Sequence, residues 1–277
     1  MSTPHPLTHP GTDLLRGKRV LVTGVLTPKS IAYAIAAASQ RAGAQVLLTS
    51  FGRAMSLTRR SAQRLSPPPD VLEMDVTDGT QVDAAAARVR ETWGGIDGVV
   101  HAIGFAPEDC LGGNFLAAPW SSVATAFEVS TYSMRTLAAA FSPLMAATGS
   151  LVTLTFDARV AWPLYDWMGP AKAALEAVVR YLARDLGRRG VRVNALAAGP
   201  LETIAARSIP GFETLKSSWK LQAPLGWNSA DAGPVADAAV FLLSDLSRAI
   251  TGEMLHVDGG YHSQGAPLIE VVEAAES

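Results

Sequence analysis

The chain has little cysteine, no long apolar run and no excess of charge of either sign. Cys110 is the only cysteine among 277 residues, so no disulfide can close within the chain and no cysteine-based zinc or iron–sulfur site can form. No segment approaches the eighteen consecutive apolar residues that a membrane span requires. Lysine and arginine number 23 against 25 acidic residues, a formal net charge of -2, with the basic residues scattered; a nucleic-acid footprint is missing. The five histidines lack ligand spacing, so no metal is expected; His101 falls at a strand end, and His256 inside a strand as a satisfied interior histidine. The first thirteen residues, MSTPHPLTHPGTD, hold three prolines and no apolar run. They read as neither signal peptide nor anchor, and 1–14 is expected to be disordered. A cytoplasmic chain is expected, 48% apolar and long enough for one large core.

What is there is a regular alternation. Short β-branched runs at 19–23, 45–49, 71–74, 98–102, 150–155, 191–196 and 253–257 read as seven strands, nearly continuous in apolar character. Segments of helical period lie between them near 30–42, 54–65, 79–92, 120–147, 167–188 and 234–243. This is the pattern of βαβ units. It predicts an α/β fold, a single doubly wound Rossmann domain over 15–263 whose seven-stranded parallel sheet carries helices on both faces. The longest irregular stretch, 198–230, is expected to be a binding loop or lid. The tail 264–277, with Glu270, Glu273 and Glu276 among apolar residues, reads as a frayed helix.

In such a fold the first strand-to-helix turn faces a ligand, and here it is TGVLTPKS, with Gly24 as its one glycine. Gly24 would let the turn approach a ligand closely, and Ser30 would cap the next helix while offering a hydroxyl to a phosphate. Gly24, Asp75 and Gly104 would converge at the carboxyl edge of the sheet, where open α/β sheets bind ligands. An acid at the end of the second strand would hold the ribose hydroxyls of NAD, yet no acidic residue occurs between Asp13 and Asp70. Phe51 stands there, suited to stacking on adenine, with Arg53 suited to the extra phosphate of NADP. Local chemistry leaves these two cofactors evenly balanced.

YDWMGPAK, residues 165–172, places a tyrosine seven positions before a lysine. On a helix beginning near Asp166 or Trp167 that is about two turns, so both would face one ligand; Pro170 is tolerated within the first turn. Lys172 would offer hydrogen bonds and charge to a ribose, and Tyr165 its hydroxyl to a developing oxyanion. Together, GVLTPKSIA, HAIGFAP, YDWMGPAKAALE and AAGPLET resemble the enoyl-acyl-carrier-protein reductases, a divergent branch of the short-chain dehydrogenase/reductases, and most closely the NADH-dependent actinobacterial and mycobacterial type. The similarity spans roughly residues 15–263. The Tyr-x-x-x-Lys of ordinary short-chain reductases would place the tyrosine at 168, where Met168 stands, and their catalytic serine falls on Thr155.

The resemblance implies hydride transfer from NADH, with NADPH the second choice, to an enoyl thioester on acyl-carrier protein or CoA. Tyr165, Lys172 and Phe156 would be catalytic. Gly24, Val25, Ser30 and Ile31 would meet the pyrophosphate, Phe51 the adenosine, Asp75 and Val76 the adenine. Ala102, Ile103, Gly104 and Thr155 would follow the ribose and nicotinamide, with Lys172 on the nicotinamide ribose and Ala198, Pro200, Leu201 and Thr203 flanking. Phe156, Met168 and Tyr165 would line the substrate side, and Ile204, Ala205, Ile209, Phe212 and Trp219 are acyl-pocket candidates, with core packing as the equal alternative. Family members carry an acid just after the phenylalanine, where this chain has Gly52. The segment 204–218 is shorter than in enzymes acting on very long chains, which implies medium-length acyl groups. A homotetramer is implied as well. A 3-oxoacyl or other carbonyl reductase and a non-catalytic dinucleotide sensor are the competing readings.

Overall fold

The structure, a computed structural model, describes residues 13–207 and 209–265, without the side chains of Ala205 and Arg207. The readings of a disordered start and a frayed tail fall largely on 1–12 and 266–277, outside the described residues, as does the Ala205 side chain. Seven strands, β1 (Arg19–Val22), β2 (Gln45–Ser50), β3 (Val71–Glu73), β4 (Ile96–His101), β5 (Met145–Thr155), β6 (Arg192–Ala198) and β7 (Met254–Val257), form one sheet in the order β3-β2-β1-β4-β5-β6-β7. Every pairing is parallel. The order reverses between β1 and β4, which opens the crevice at the carboxyl edge.

Alternation along the strands supplies two cores. Val20, Val22, Val46, Leu48, Val100, Val152 and Leu196 point to one face. There they meet α1 (Ile31–Arg41) and α9 (Gly233–Leu243). Leu21, Leu47, Val99, Leu151 and Val193 point to the other, against α3 (Gly79–Trp93), α5 (Ser133–Phe141) and α6 (Met168–Gly187). Successive side chains of a strand take opposite faces, so apolar runs without polar breaks are what a two-faced sheet needs.

Two expected elements differ. The helix read over 120–147 is α4 (Trp120–Phe127), a π turn (Glu128–Tyr132), α5, and a short turn containing Pro143 before β5 begins at Met145. The stretch 198–230 contains α7 (Ile204–Arg207) and α8 (Phe212–Gln222). Phe212, Leu215 and Trp219 are the buried residues of α8, an i, i+3, i+7 stripe that Pro210 and Pro224 obscure in the sequence.

The absent side chain of Gly24 serves the chain itself. Gly24 has φ +81°, and a Cβ there would overlap the carbonyl oxygen of Ala102 at the end of β4. The turn after β1 thereby lies directly on the turn after β4. Gly24→Ala is expected to lower the unfolding free energy by about 2–4 kcal/mol, from left-handed backbone strain plus overpacking. Denaturant titration measures it, and an unchanged midpoint would show that the two turns are free to part.

Candidate functional site

The β1–α1 turn is pinned from within. Thr58 Oγ1, on α2 (Met55–Ala62), donates to the Val25 carbonyl, and Ser61 Oγ donates to that of Leu26 at 3.0 Å. Ser30 occupies the N-cap position of α1 but makes no side-chain cap. Its hydroxyl oxygen instead accepts from Leu26 N–H at 3.1 Å and Thr27 N–H at 3.0 Å, correcting the cap expected from sequence. The hydroxyl hydrogen and the first amides of α1, which begins at Ile31, remain for an anion. Asp75 and Val76 lie just beyond β3; Asp75 Oδ1 accepts from the N–H and hydroxyl of Thr77, while the cap of α3 is Asp78. Phe51 follows β2 with half its surface exposed, a face open for stacking.

Tyr165 and Lys172 do not share a helix, contrary to the expectation. α6 starts at Met168, and Tyr165 sits in the preceding turn between Leu164 at φ +61° and Asp166 at φ +39°. Two non-glycine residues in the left-handed region cost about 1–3 kcal/mol each and persist only where the surroundings over-determine them. Here they do. Gly112 N–H donates to Leu164 O at 3.0 Å, Asp166 Oδ2 accepts from the N–H groups of Gly113 (2.6 Å) and Asn114 (3.0 Å), and Trp167 N–H donates to Cys110 O at 3.1 Å. The loop 110–114 thus aims the phenol.

Met168 links tyrosine and lysine. It packs in one cluster with Tyr165 and Leu111, against Phe156, Trp162 and Ile209. A Cβ built on Gly104 would lie 3.9 Å from Met168 Cε and 3.6 Å from Lys172 Nζ. Lys172 and Glu176 occupy the buried stripe of α6 together with Leu175 and Val179. Burial pushes the Lys172 ammonium down to about 8, with Glu176 opposing. Burial, then the Glu176 charge, raises the Tyr165 phenol above its ordinary value, so the phenol stays protonated. His101, fully buried between Thr153 Oγ1 and Ser133 Oγ at 2.7 Å each, is held neutral, down to about 3, by burial and by Lys172.

Beyond Tyr165 stands an aromatic wall. Phe156 meets Tyr165 edge-on at 5.4 Å and Trp162 at 4.8 Å. Trp219 lies 5.6 Å from Phe156 and stacks on Tyr261 at 3.7 Å. Gly199 makes room: a Cβ there would lie 2.7 Å from Trp227 Cε2 and 2.8 Å from Trp219 Nε1. Phe156, Trp162, Trp219 and Tyr261 also border a cavity of about 430 Å³ whose other lining is mixed, Val160, Ala197 and Ala198 beside Asp157, Arg159 and His256. His256 is satisfied as expected, its Nε2 3.1 Å from Asp157 Oδ2. Of the acyl-pocket candidates, Ile209 joins the Tyr165 cluster, Phe212 and Trp219 are buried, and Ile204 is exposed. Ala102 and Ile103 continue β4 toward Gly104. Ala198 ends β6 and Pro200 and Leu201 follow it, all buried, Pro200 O accepting from Trp227 Nε1–H, and Thr203 Oγ1 accepts from Ala206 N–H.

The sequence reading missed two polar groups. Glu176 Oε1 accepts from Thr155 Oγ1 at 2.9 Å and from Ala158 N–H at 3.2 Å; its i, i+4 spacing from Lys172 was the available signal. Ser130, in the π turn, accepts from Phe105 N–H at 2.9 Å and donates to Phe105 O at 2.8 Å, holding the irregular segment that follows Gly104. Nothing in the sequence marks a π turn.

A dinucleotide fits these residues. Lys172 Nζ has one acceptor among the described residues, the carbonyl of Leu154 at 3.0 Å, leaving two N–H donors of a buried ammonium to be met, and Gly104 leaves space beside them. The profile of the family described as enoyl-(acyl carrier protein) reductase matches residues 24–262. The enoyl-[acyl-carrier-protein] reductase [NADH] of Mycolicibacterium smegmatis is 43% identical over 267 residues, covering 91% of this chain and 99% of its own. Enoyl-[acyl-carrier-protein] reductase [NADH] 1 of Rhizobium meliloti is 42% identical, covering 94% and 95%, and a Bacillus subtilis relative of the same activity 37%, covering 90% and 97%.

Lys172 sheds its proton near 8 when folded and near 10.5 when unfolded. The unfolded chain therefore binds more protons between those values, stability rises with pH across that window, and below 8 the buried charge is a net cost. Lys172→Met is expected to raise the unfolding free energy of the ligand-free protein at pH 7 by up to about 3 kcal/mol, a gain that fades toward pH 10.5. Thermal unfolding across pH checks it; a loss of stability at pH 7 would mean that the bond to Leu154 outweighs burial.

Proposed function

Because the chain belongs to the enoyl-(acyl carrier protein) reductase family, we propose that it reduces the trans-2 double bond of enoyl thioesters, carried on acyl-carrier protein or CoA, with NADH as reductant in fatty acid elongation. Bound NADH supplies the hydride that reaches the β-carbon. The residues do the rest. The Lys172 ammonium donates to ribose hydroxyls with the N–H groups that Leu154 leaves free, and its charge favours negative charge developing nearby. Tyr165, kept protonated by burial, hydrogen-bonds the thioester oxygen as electrons arrive there and keeps its proton, and the α-carbon of the resulting enolate then takes a proton from solvent. Met168 and Phe156 hold the phenol from two sides and exclude water.

The observation that carries this reading over a carbonyl reductase is the Thr155 hydroxyl. It stands where a ketone reductase would aim a second donor at its substrate, yet it donates to Glu176. Oxyanion support is thereby left to Tyr165. The NADH preference is supported by the relatives' own cofactor. Within the same reading the protein is a cytoplasmic homotetramer, the exposed Tyr132 of the π turn and Tyr181 of α6 being surface a second copy would cover. Among the described residues no helix is long and apolar enough to cross a membrane.

Tyr165→Phe is expected to lower kcat by roughly 100- to 1,000-fold, the usual effect of losing one oxyanion donor, with NADH binding unchanged. Crotonyl and acetoacetyl thioesters separate the two reductase readings: turnover of the second alone would overturn this one, and NADH binding without any turnover would favour a sensor. The wall of Phe156, Trp162, Trp219 and Tyr261 bounds the apolar cover available, and Asp157, Arg159 and His256 interrupt it; this supports a medium-length acyl group, since each further CH2 must find apolar cover worth ~0.8 kcal/mol. A steep rise in kcat/KM beyond about sixteen carbons would contradict that limit.

A further inference from the structure

We propose that Glu176 is a positioning residue for reduction: one buried carboxylate on α6 that fixes the chain leaving β5 and sets the electrostatic field in which Lys172 and Tyr165 work. The inference rests on the reading of the site given above. Glu176 is 8% exposed and lies one helical turn beyond Lys172. Its Oε1 holds Thr155 on one side and the amide of Ala158 on the other, and these two bonds bracket Phe156 and Asp157. The carboxylate therefore clamps the segment that presents the Phe156 ring to Tyr165.

A neutral acceptor would serve as well for the clamp alone. The need for charge comes from Lys172. Among the described residues no ion pair within 4.0 Å uses Glu176 (the salt bridges formed involve other carboxylates), so its field is not cancelled at contact distance. The groups around the pair are Arg180 on α6, Asp157 and Arg159 on the clamped segment, Tyr165 ahead of the helix, and neutral His101 on β4. Burial, and to a lesser degree the Asp157 charge, push the Glu176 carboxyl up, while hydrogen bonds from Thr155 and Ala158 and the Arg180 charge hold it down; Asp157 is a carboxylate paired with Arg159. Burial resists its ionisation, but hydrogen bonds from Arg159 and His256 hold its carboxyl down to about 2, and the Arg159 guanidinium lies on it at 2.6 Å. Glu176 is then the negative group on whose charge Lys172 depends to remain an ammonium in a buried site.

The test reads NADH dissociation constants by nucleotide fluorescence from pH 6 to 10. The wild type is expected to lose affinity with a midpoint near 8, the proton-loss position of Lys172. Glu176→Gln keeps an acceptor for Thr155 and Ala158 but removes the charge; its midpoint should move about one unit lower, giving affinity near wild type at pH 6 and about tenfold weaker at pH 9. Thr155→Val keeps the charge and loosens the clamp, so its midpoint should stay while kcat falls. If the glutamine variant does not fold, Glu176→Asp takes its place, with charge kept and reach shortened: an unmoved midpoint supports the proposal, a lowered one overturns it. An unmoved midpoint in Glu176→Gln, with only a lower Tm, reduces Glu176 to a structural clamp and overturns the proposal. Normal pH shifts without enoyl reduction would sink the functional reading, and with it a role in reduction, and leave standing only the part in which Glu176 sustains the Lys172 charge for nucleotide binding.

Discussion

A primary ammonium has been taken out of water and given a single acceptor. Lys172 is 7% exposed and bonds the Leu154 carbonyl, and burial of a charged group with unmet donors is among the most costly arrangements a core can hold. The site is arranged around this constraint. Glu176 lies one helical turn away on the same buried stripe, His101 stays neutral instead of adding a second positive charge, and Gly104 has no side chain to crowd the ammonium, since even a Cβ there would stop 3.6 Å from Nζ. A ribose beside the ammonium would supply oxygens beyond the one acceptor that the described residues give, so affinity for the nucleotide and the cost of the buried charge in the empty protein would have one origin.

The rest of the site is rigid where chemistry needs it to be. Van der Waals contact between Gly24 and Ala102 brings the turns after β1 and β4 together, and hydroxyls from α2 hold the first of them. On the opposite side, Trp219 stacked on Tyr261 ties α8 to the chain that follows β7. The Trp219 Nε1–H is buried without an acceptor among the described residues. That unmet donor, beside Gly199, is a small cost accepted for close packing of two indoles against the backbone.

Much of this was legible before any coordinates. Seven apolar runs became seven strands within a few residues, because strands covered on both faces are mostly apolar and so declare themselves, the buried His101, Thr153 and Asn194 being hydrogen-bonded exceptions. The pairing of Tyr165 with Lys172 was also legible, but for a reason that proved incomplete. Helical spacing put the two on one face, whereas the tyrosine is placed by Leu164 and Asp166 in left-handed backbone, which composition does not reveal for non-glycine residues. Ser30 was read as a cap by residue type, yet its hydroxyl turned backward to the turn, a choice between two amides equally near in sequence. Helix α8 was hidden between prolines, and the π turn has no sequence pattern at all.

The segment 110–114 belongs to an irregular connection and is exposed over 112–114, of the sort in which insertions and deletions ordinarily accumulate. Its backbone amides nevertheless grip Leu164 and Asp166, and through them the direction of one phenol. Divergent descendants of this chain are therefore not free to lengthen or shorten the stretch, nor to change Leu111, which packs with the phenol, or Gly112 and Gly113, whose φ is positive. An alignment gap between Cys110 and Asn114 would be a sign that the tyrosine has been retired from its task.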